Sequence, residues 1–136
     1  MIQVIAGRKG SGKTKRIIDM ANKASQDSNN DIVFIDDDNR YMFDLRHEVR
    51  FINASEYDLT NDQMFAGFLA GAVSQNFDVG LILIDAFKKL IKKDLKDTEQ
   101  FFRRLETISE NHNVDFVLSV SEAQDDLPEF IQKYVI

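Results

Sequence analysis

The sequence predicts a three-layer α/β/α fold, in which helices cover both faces of a mainly parallel sheet. Two observations predict it. Short apolar runs alternate along the chain with segments whose apolar residues recur at helical spacing. The runs at 79–87 and 114–120 are apolar almost throughout, which is typical of strands buried on both faces. Because helices separate the strands, we expect the strands to pair in parallel.

The bulk properties predict one globular domain, residues 1–136. A chain of 136 residues suits a single core, and 43% hydrophobic with 29% charged residues is an ordinary globular balance. No apolar run approaches the ~20 residues of a membrane span, and no charged segment precedes the first apolar run as in a signal peptide. The absence of cysteine excludes a disulfide framework and a cysteine zinc site. We therefore expect a cytoplasmic protein without a membrane span.

The first half of the chain contains three predicted strands and one helix. Residues 1–6 form an apolar run that ends at Gly7, and residues 32–35 form a β-branched and aromatic run that leads into three aspartates. Residues 49–53 predict another short strand. A helix over 13–26 is predicted by apolar residues at helical spacing, namely Ile17, Met20, Ala21 and Ala24.

A capping box predicts the start of the next helix. Thr60 is a good N-cap, and Gln63 stands three residues later, so each side chain can bond the other residue's backbone amide. Gly67 and Gly71 lie one turn apart on this helix, and we interpret them as positions of close packing against the sheet. The apolar face of the helix comprises Met64, Phe65, Phe68, Leu69, Ala72 and Val73.

The second half alternates in the same way. A buried strand at 79–87 is followed by a lysine-rich segment, and a helix then begins at Asp97 or Thr98. The remaining predicted elements are a buried strand at 114–120, a short helix opened by Pro128 and an edge strand at 133–136.

Residues 7–14, GRKGSGKT, match the pattern G-x-x-x-x-G-K-[ST] at every fixed position, between a predicted strand and a predicted helix. Glycines let backbone amides approach phosphate oxygens, and the helix N-terminus adds unpaired amides and the positive end of its dipole. Lys13 would reach the β- and γ-phosphates, and the Thr14 hydroxyl would bind Mg²⁺. The predicted phosphate-binding residues are Gly7, Arg8, Lys9, Gly10, Ser11, Gly12, Lys13 and Thr14.

The charge distribution agrees with an anion site at this loop. The chain has a net charge of −6, which argues against a protein that coats nucleic acid along its whole surface. Residues 1–25 nevertheless carry a single acid, Asp19, against a set of basic residues, namely Arg8, Lys9, Lys13, Lys15, Arg16 and Lys23.

A second signal lies at the end of the strand at 79–87. The segment LILID, residues 81–85, places Asp85 where a carboxylate next to a phosphate loop holds the water shell of Mg²⁺. The alternative is that Asp85 caps the following helix. Because the phosphate loop stands some 70 residues upstream, we interpret Asp85 and Thr14 as magnesium ligands.

Together, GRKGSGKT and LILID resemble the Walker A and Walker B elements of the P-loop NTPases. The layout is most similar to the RecA-like ATPases, the group that includes the PilT-type motor ATPases, because FFRRLETISENHNVDFVLSVS (101–121) follows LILID as a helix, a turn and a strand. The resemblance implies that the strand at 114–120 lies between the first strand and the strand at 79–85. It also implies ATP as the nucleotide, and Ser119 or Ser121 as the residue that senses the γ-phosphate.

The carboxylate that orients water in RecA-like ATPases has no single counterpart here. Ala86 follows Asp85, where that family often has a glutamate. Four acidic residues that follow two other strands could take this role, although each could instead be a turn or cap residue. They are Asp36, Asp37, Asp38 and Glu122. With the phosphate-binding lysine included, the candidate catalytic residues are Lys13, Asp37 and Glu122.

Two basic groups lie outside the motifs. Arg103 and Arg104 either reach a neighbour's site in a homo-oligomer or form the charged outer face of a helix. The second group either binds nucleic acid or an acidic partner, or forms the solvent-exposed face of a helix, and no aromatic platform for nucleic acid is interleaved with it. Its members are Lys88, Lys89, Lys92, Lys93 and Lys96.

These features predict an ATP-binding protein that is either a slow Mg²⁺-dependent ATPase or a nucleotide-dependent switch. Hydrolysis is expected to be slow because the usual glutamate and an internal arginine finger are missing. The alternative is a small-molecule or nucleoside kinase, although no arginine follows Arg104 to form a lid. A GTPase is least favoured, because SEAQDD follows the strand at 114–120 instead of an N-K-x-D-like segment.

Overall fold

The computed structural model describes all 136 residues as an α/β fold with one five-stranded sheet. All neighbouring strands are parallel, in the order β1-β5-β4-β2-β3. The strands are β1 (Ile2–Ala6), β2 (Asp31–Asp36), β3 (Val49–Asn53), β4 (Val79–Ile84) and β5 (Asp115–Val120). The predicted α/β class and parallel pairing are confirmed, and the strand at 114–120 lies between the first strand and the strand at 79–85, as expected.

Five helices connect or follow the strands. They are α1 (Lys13–Asp27), α2 (Asp62–Ser74), α3 (Phe87–Ile91), α4 (Glu99–His112) and α5 (Glu129–Gln132). The helix predicted to begin at Asp97 or Thr98 has Thr98 as its N-cap, and Pro128 caps the last helix. No helix combines the length and the apolar character that crossing a membrane requires.

The helices cover both faces of the sheet, because alternate strand residues point to opposite sides. On one face α1 packs Ile17, Ile18 and Ala21 against strand residues such as Phe34 and Leu83. The other face carries the larger core, to which the remaining four helices contribute. Its centre is aromatic and includes Phe65, Phe87, Phe101, Phe102 and Phe116.

The start of α2 corrects the predicted capping box. Asn61 is the N-cap, and its side-chain oxygen accepts the backbone N–H of Met64 at 2.8 Å. Thr60 lies one residue outside the helix, and its hydroxyl contacts the Met64 sulfur instead. Met64 is 44% exposed, so its placement on the apolar face is also wrong. The extended backbone of Asn61 (φ −154°) places its side-chain oxygen within reach of the third helical amide.

Three other expectations are wrong in detail. Gly67 and Gly71 are exposed, with open space where a Cβ would stand, so they do not pack against the sheet. The predicted strand 79–87 ends at Ile84, because Ala86 has a left-handed backbone (φ 58°) that turns the chain into α3. The edge strand at 133–136 is reduced to one parallel bridge between Val135 and Val4, because a turn ends only at residue 134.

Candidate functional site

The candidate site is a cleft of about 670 Å³ at the carboxyl edge of the sheet. Open parallel sheets bind ligands at this edge, where the segments after the strands converge. The cleft is bounded by the loop after β1 and by the ends of β2, β4 and β5. Its lining comprises Lys9, Gly10, Gly12, Lys13, Thr14, Lys15, Asp36, Asp37, Asp38, Arg40, Tyr41, Asp85, Ala86, Lys88, Lys89, Ser119 and Ser121.

The loop between β1 and α1 favours glycine at two positions through its backbone angles. Gly10 and Gly12 have φ of 84° and 89°, in the left-handed region that other residues rarely adopt. At Gly7 a Cβ would stand 2.4 Å from the Ser11 Oγ, so the Ser11 side chain would have to rotate away. The loop is closed by the Ser11 N–H, which donates to the Arg8 carbonyl at 3.1 Å. Other residues at Gly10 and Gly12 would therefore strain the backbone of the loop.

Lys13 projects into the cleft from the first turn of α1. Its ammonium group donates to the Arg8 carbonyl across the loop at 3.0 Å. Burial lowers the pKa of Lys13, and the nearby charge of Asp85 partly opposes that shift. A cation that has lost part of its water and faces a loop of backbone amides is suited to bind an anion.

Asp85 joins the loop to the middle of the sheet. The Thr14 hydroxyl donates to Asp85 Oδ2 at 3.0 Å, across 71 residues of sequence. The Ser119 hydroxyl donates to the other oxygen, Oδ1, and accepts the N–H of Ala86 at 3.1 Å. Asp85 is only 5% exposed and forms no salt bridge. A buried carboxylate beside a threonine hydroxyl, with no cation of its own, offers oxygen ligands to Mg²⁺.

Three consecutive aspartates form the wall at the end of β2. Asp36 is buried, and its Oδ1 accepts the N–H of Asp37 at 2.7 Å. Asp37 lies 4.0 Å from the Lys89 ammonium, and Asp38 pairs with the Arg40 guanidinium at 3.0 Å. The bonds from the Arg40 amide and guanidinium lower the pKa of Asp38. The three carboxylates therefore share one corner of the cleft but have different surroundings.

Two lysines line the cleft that the sequence did not distinguish from the rest of the lysine-rich segment. Lys88 and Lys89 line the cleft from α3. They follow Asp85 by three and four residues, and this proximity in sequence could have indicated that they lie near the site. The other lysines of the segment do not line the cleft: Lys92, Lys93 and Lys96.

Several sequence candidates do not line the cleft. The Glu122 carboxylate is engaged by the Lys88 ammonium at 2.5 Å. Arg103 bonds to Glu99 on its own helix at 3.0 Å, and Arg104 is exposed on the same helix. Tyr41, by contrast, is the single aromatic residue of the lining.

The burial of Asp36 should make the stability of the protein depend on pH in an unusual direction. Burial is the main cause that raises the pKa of Asp36 to about 8, helped by the neighbouring carboxyls of Asp37 and Asp85. Between about pH 4 and pH 8 the folded protein therefore holds a proton that the unfolded chain releases, and stability falls as the pH rises through this window. We expect the free energy of unfolding to fall by a few kcal/mol across this pH range in the wild type, and we expect no such fall in Asp36→Asn.

Urea unfolding at pH 5, 6.5 and 8 in EDTA measures this effect. The quantity compared is the difference in free energy of unfolding between the wild type and Asp36→Asn at each pH. Parallel curves for the two proteins would contradict the assignment to Asp36.

No protein-family model matches the chain, and a search of curated proteins returns no match. The functional interpretation therefore depends on the residues and geometry of the cleft.

Proposed function

We propose that this protein binds ATP with Mg²⁺ in the cleft, with the triphosphate in the loop of residues 7–14. The observation that carries the proposal is the hydrogen bond between Thr14 and Asp85. Two motifs that are separated by 71 residues in sequence share one contact at the carboxyl edge of the sheet. A glycine-rich turn without a ligand would not require this second partner.

The cleft offers a triphosphate several kinds of positive charge. The backbone amides of the loop and the N-terminus of the 15-residue α1 provide partial charges that point at the ligand. Lys13 provides a full charge from the same side, and Lys88 and Lys89 provide two more from α3. Lys88 would then exchange its contact with Glu122 for a phosphate oxygen, since both partners are anionic.

Thr14 and Asp85 are the residues that would hold Mg²⁺. Their oxygens lie 3.0 Å apart, and the burial of Asp85 without a basic partner fits a hard cation at this place. When bound, Mg²⁺ would neutralise negative charge on the phosphates. Ser119 fixes the orientation of the Asp85 carboxylate from the opposite side.

The similarity to RecA-like ATPases is supported by the strand order. β5 lies between β1 and β4, the arrangement that the resemblance implies. Ser119 is at the end of β5 and in contact with Asp85, which supports its proposed role as the residue that senses the γ-phosphate; Ser121 lines the cleft beyond it.

Slow hydrolysis, or a switch that depends on the bound nucleotide, fits the cleft better than a fast motor. Asp37 lines the cleft and is partly exposed, so it is placed to orient water, whereas Glu122 must first leave Lys88. No arginine other than Arg40 lines the cleft, and Arg40 already pairs with Asp38. A homo-oligomer or protein partner that supplies an arginine would accelerate hydrolysis.

A titration with ATP, ADP and GTP in the presence of Mg²⁺ tests the proposal. We expect ATP to raise the free energy of unfolding by about 2.7 kcal/mol at a hundredfold excess over its Kd. We also expect slow phosphate release without any acceptor. Failure of all three nucleotides to stabilise the protein would contradict the proposed binding site.

The part of the cleft beyond the phosphate loop favours testing the kinase alternative as well. The cleft continues past the phosphate loop to a polar wall that includes Asp37, Asp38, Arg40 and Tyr41, where a second substrate has room. A carboxylate there could accept the proton of a substrate hydroxyl. Turnover that requires an added hydroxyl acceptor would favour a kinase, whereas phosphate release in water alone favours the ATPase.

A further inference from the structure

We propose that Asp36, Asp37 and Asp38 form a divalent-cation site that binds its ion without nucleotide. This site is separate from the oxygens of Thr14 and Asp85. The three residues each offer one carboxylate oxygen, and these oxygens lie within 4.8 Å of one another. Ca²⁺ takes oxygen ligands at ~2.3–2.6 Å, so two oxygens on one ion stand up to about 5 Å apart. The side chains meet this requirement as they stand.

A buried oxygen without a partner points to a ligand at this corner. Asp36 is 2% exposed, and while its Oδ1 accepts the Asp37 amide, its Oδ2 is buried and has no hydrogen-bond partner. It is the only buried side-chain oxygen or nitrogen of the chain that lacks a hydrogen-bond partner. Leaving such an atom unpaired is costly, so buried polar atoms nearly always have a partner. Asp36 lines the cleft, and an ion there would supply the partner.

The basic residues at this corner do not replace an ion. The Arg40 side chain, which pairs with Asp38, is 61% exposed. The Lys89 side chain is 65% exposed and stands 4.0 Å from Asp37. Such exposed pairs are worth little and rearrange easily. Neither basic group forms a salt bridge with Asp36, so its unpaired oxygen is left to another cation.

The site has a consequence for any anionic ligand of the cleft. The adjacent carboxylates of Asp37 and Asp38 repel a triphosphate in the same cavity, and a divalent ion beside them would offset that repulsion. The ion site itself does not depend on the proposed nucleotide, because its ligands are all side chains of this chain. The two proposals are therefore tested in separate experiments.

Calcium titration of the full chain, freed of metal and nucleotide, tests the site by calorimetry. We expect one Ca²⁺ per chain in the wild type and at least a tenfold weaker Kd in the double variant Asp37→Asn, Asp38→Asn. The matched control is Asp125→Asn, Asp126→Asn, which removes the same charge from an exposed adjacent pair outside the cleft and should leave the Kd unchanged.

Two further variants assign the ion to its ligands. Asp36→Asn should weaken binding at least tenfold, and Asp85→Asn, which removes only a neighbouring charge, should weaken it less than the Asp37, Asp38 double variant does. Circular dichroism confirms that each variant is folded before it is compared. The proposal is overturned if the wild type binds no Ca²⁺, or if Asp85→Asn abolishes binding while the Asp37, Asp38 double variant keeps it.

Discussion

Lys13→Ala should raise the Kd for ATP with Mg²⁺ by about 10- to 100-fold while the protein stays folded. The ammonium lies in the cleft and is partly stripped of water, so its bonds to phosphate oxygens belong to the stronger, charge-assisted class. Such bonds contribute about 1.5–3 kcal/mol, which corresponds to this change in affinity. Isothermal titration calorimetry with ATP measures it.

Lys23→Ala is the matched control for this variant. Lys23 is on the same helix and exposed, but it does not line the cleft. We expect an unchanged Kd for Lys23→Ala and thermal unfolding of both variants close to that of the wild type. Equal affinity of Lys13→Ala and the wild type for ATP would contradict the assignment of the loop.

Phe87→Ala should lower the free energy of unfolding by about 3–5 kcal/mol, the largest stability effect we expect from a single substitution. Phe87 is fully buried at the centre of the larger core. Its ring centroid lies 5.1 Å from that of Phe101, 5.8 Å from that of Phe102 and 6.5 Å from that of Phe65. Truncation removes these contacts and leaves a cavity that the surrounding rings cannot fill.

Urea unfolding followed by circular dichroism measures the effect of Phe87→Ala. The control is Phe77→Ala, because Phe77 is 98% exposed and its loss should change stability by no more than about 0.5 kcal/mol. Phe87 also anchors α3, which carries Lys88 and Lys89 into the cleft. Equal stability of the two variants would contradict the described core.

The fold was predictable where burial alone decides the structure. The apolar runs at 79–87 and 114–120 indicate strands in the middle of a parallel sheet, and both are there as β4 and β5. Element ends were less predictable, because they depend on single backbone angles. Asn61 replaces Thr60 as a cap through its extended backbone, and Ala86 ends a strand through a left-handed one.

The candidate site was predictable to the extent that its residues follow local patterns. The loop of residues 7–14 and Asp85 each have a sequence signature, and the structure brings them into contact. Lys88, Lys89 and Tyr41 have no such signature, since only the convergence of segments distant in sequence places them in one cleft. The burial of Asp36 likewise depends on its position at the end of β2, next to β4.

The most direct test of the central claim is a crystal structure of the chain with Mg²⁺ and a slowly hydrolysed ATP analogue. We expect the β- and γ-phosphates among the backbone amides of residues 8–14, with the Lys13 ammonium beside them and Mg²⁺ near Thr14 and Asp85. Phosphates bound elsewhere, or a loop that stays empty at saturating analogue, would contradict the central claim.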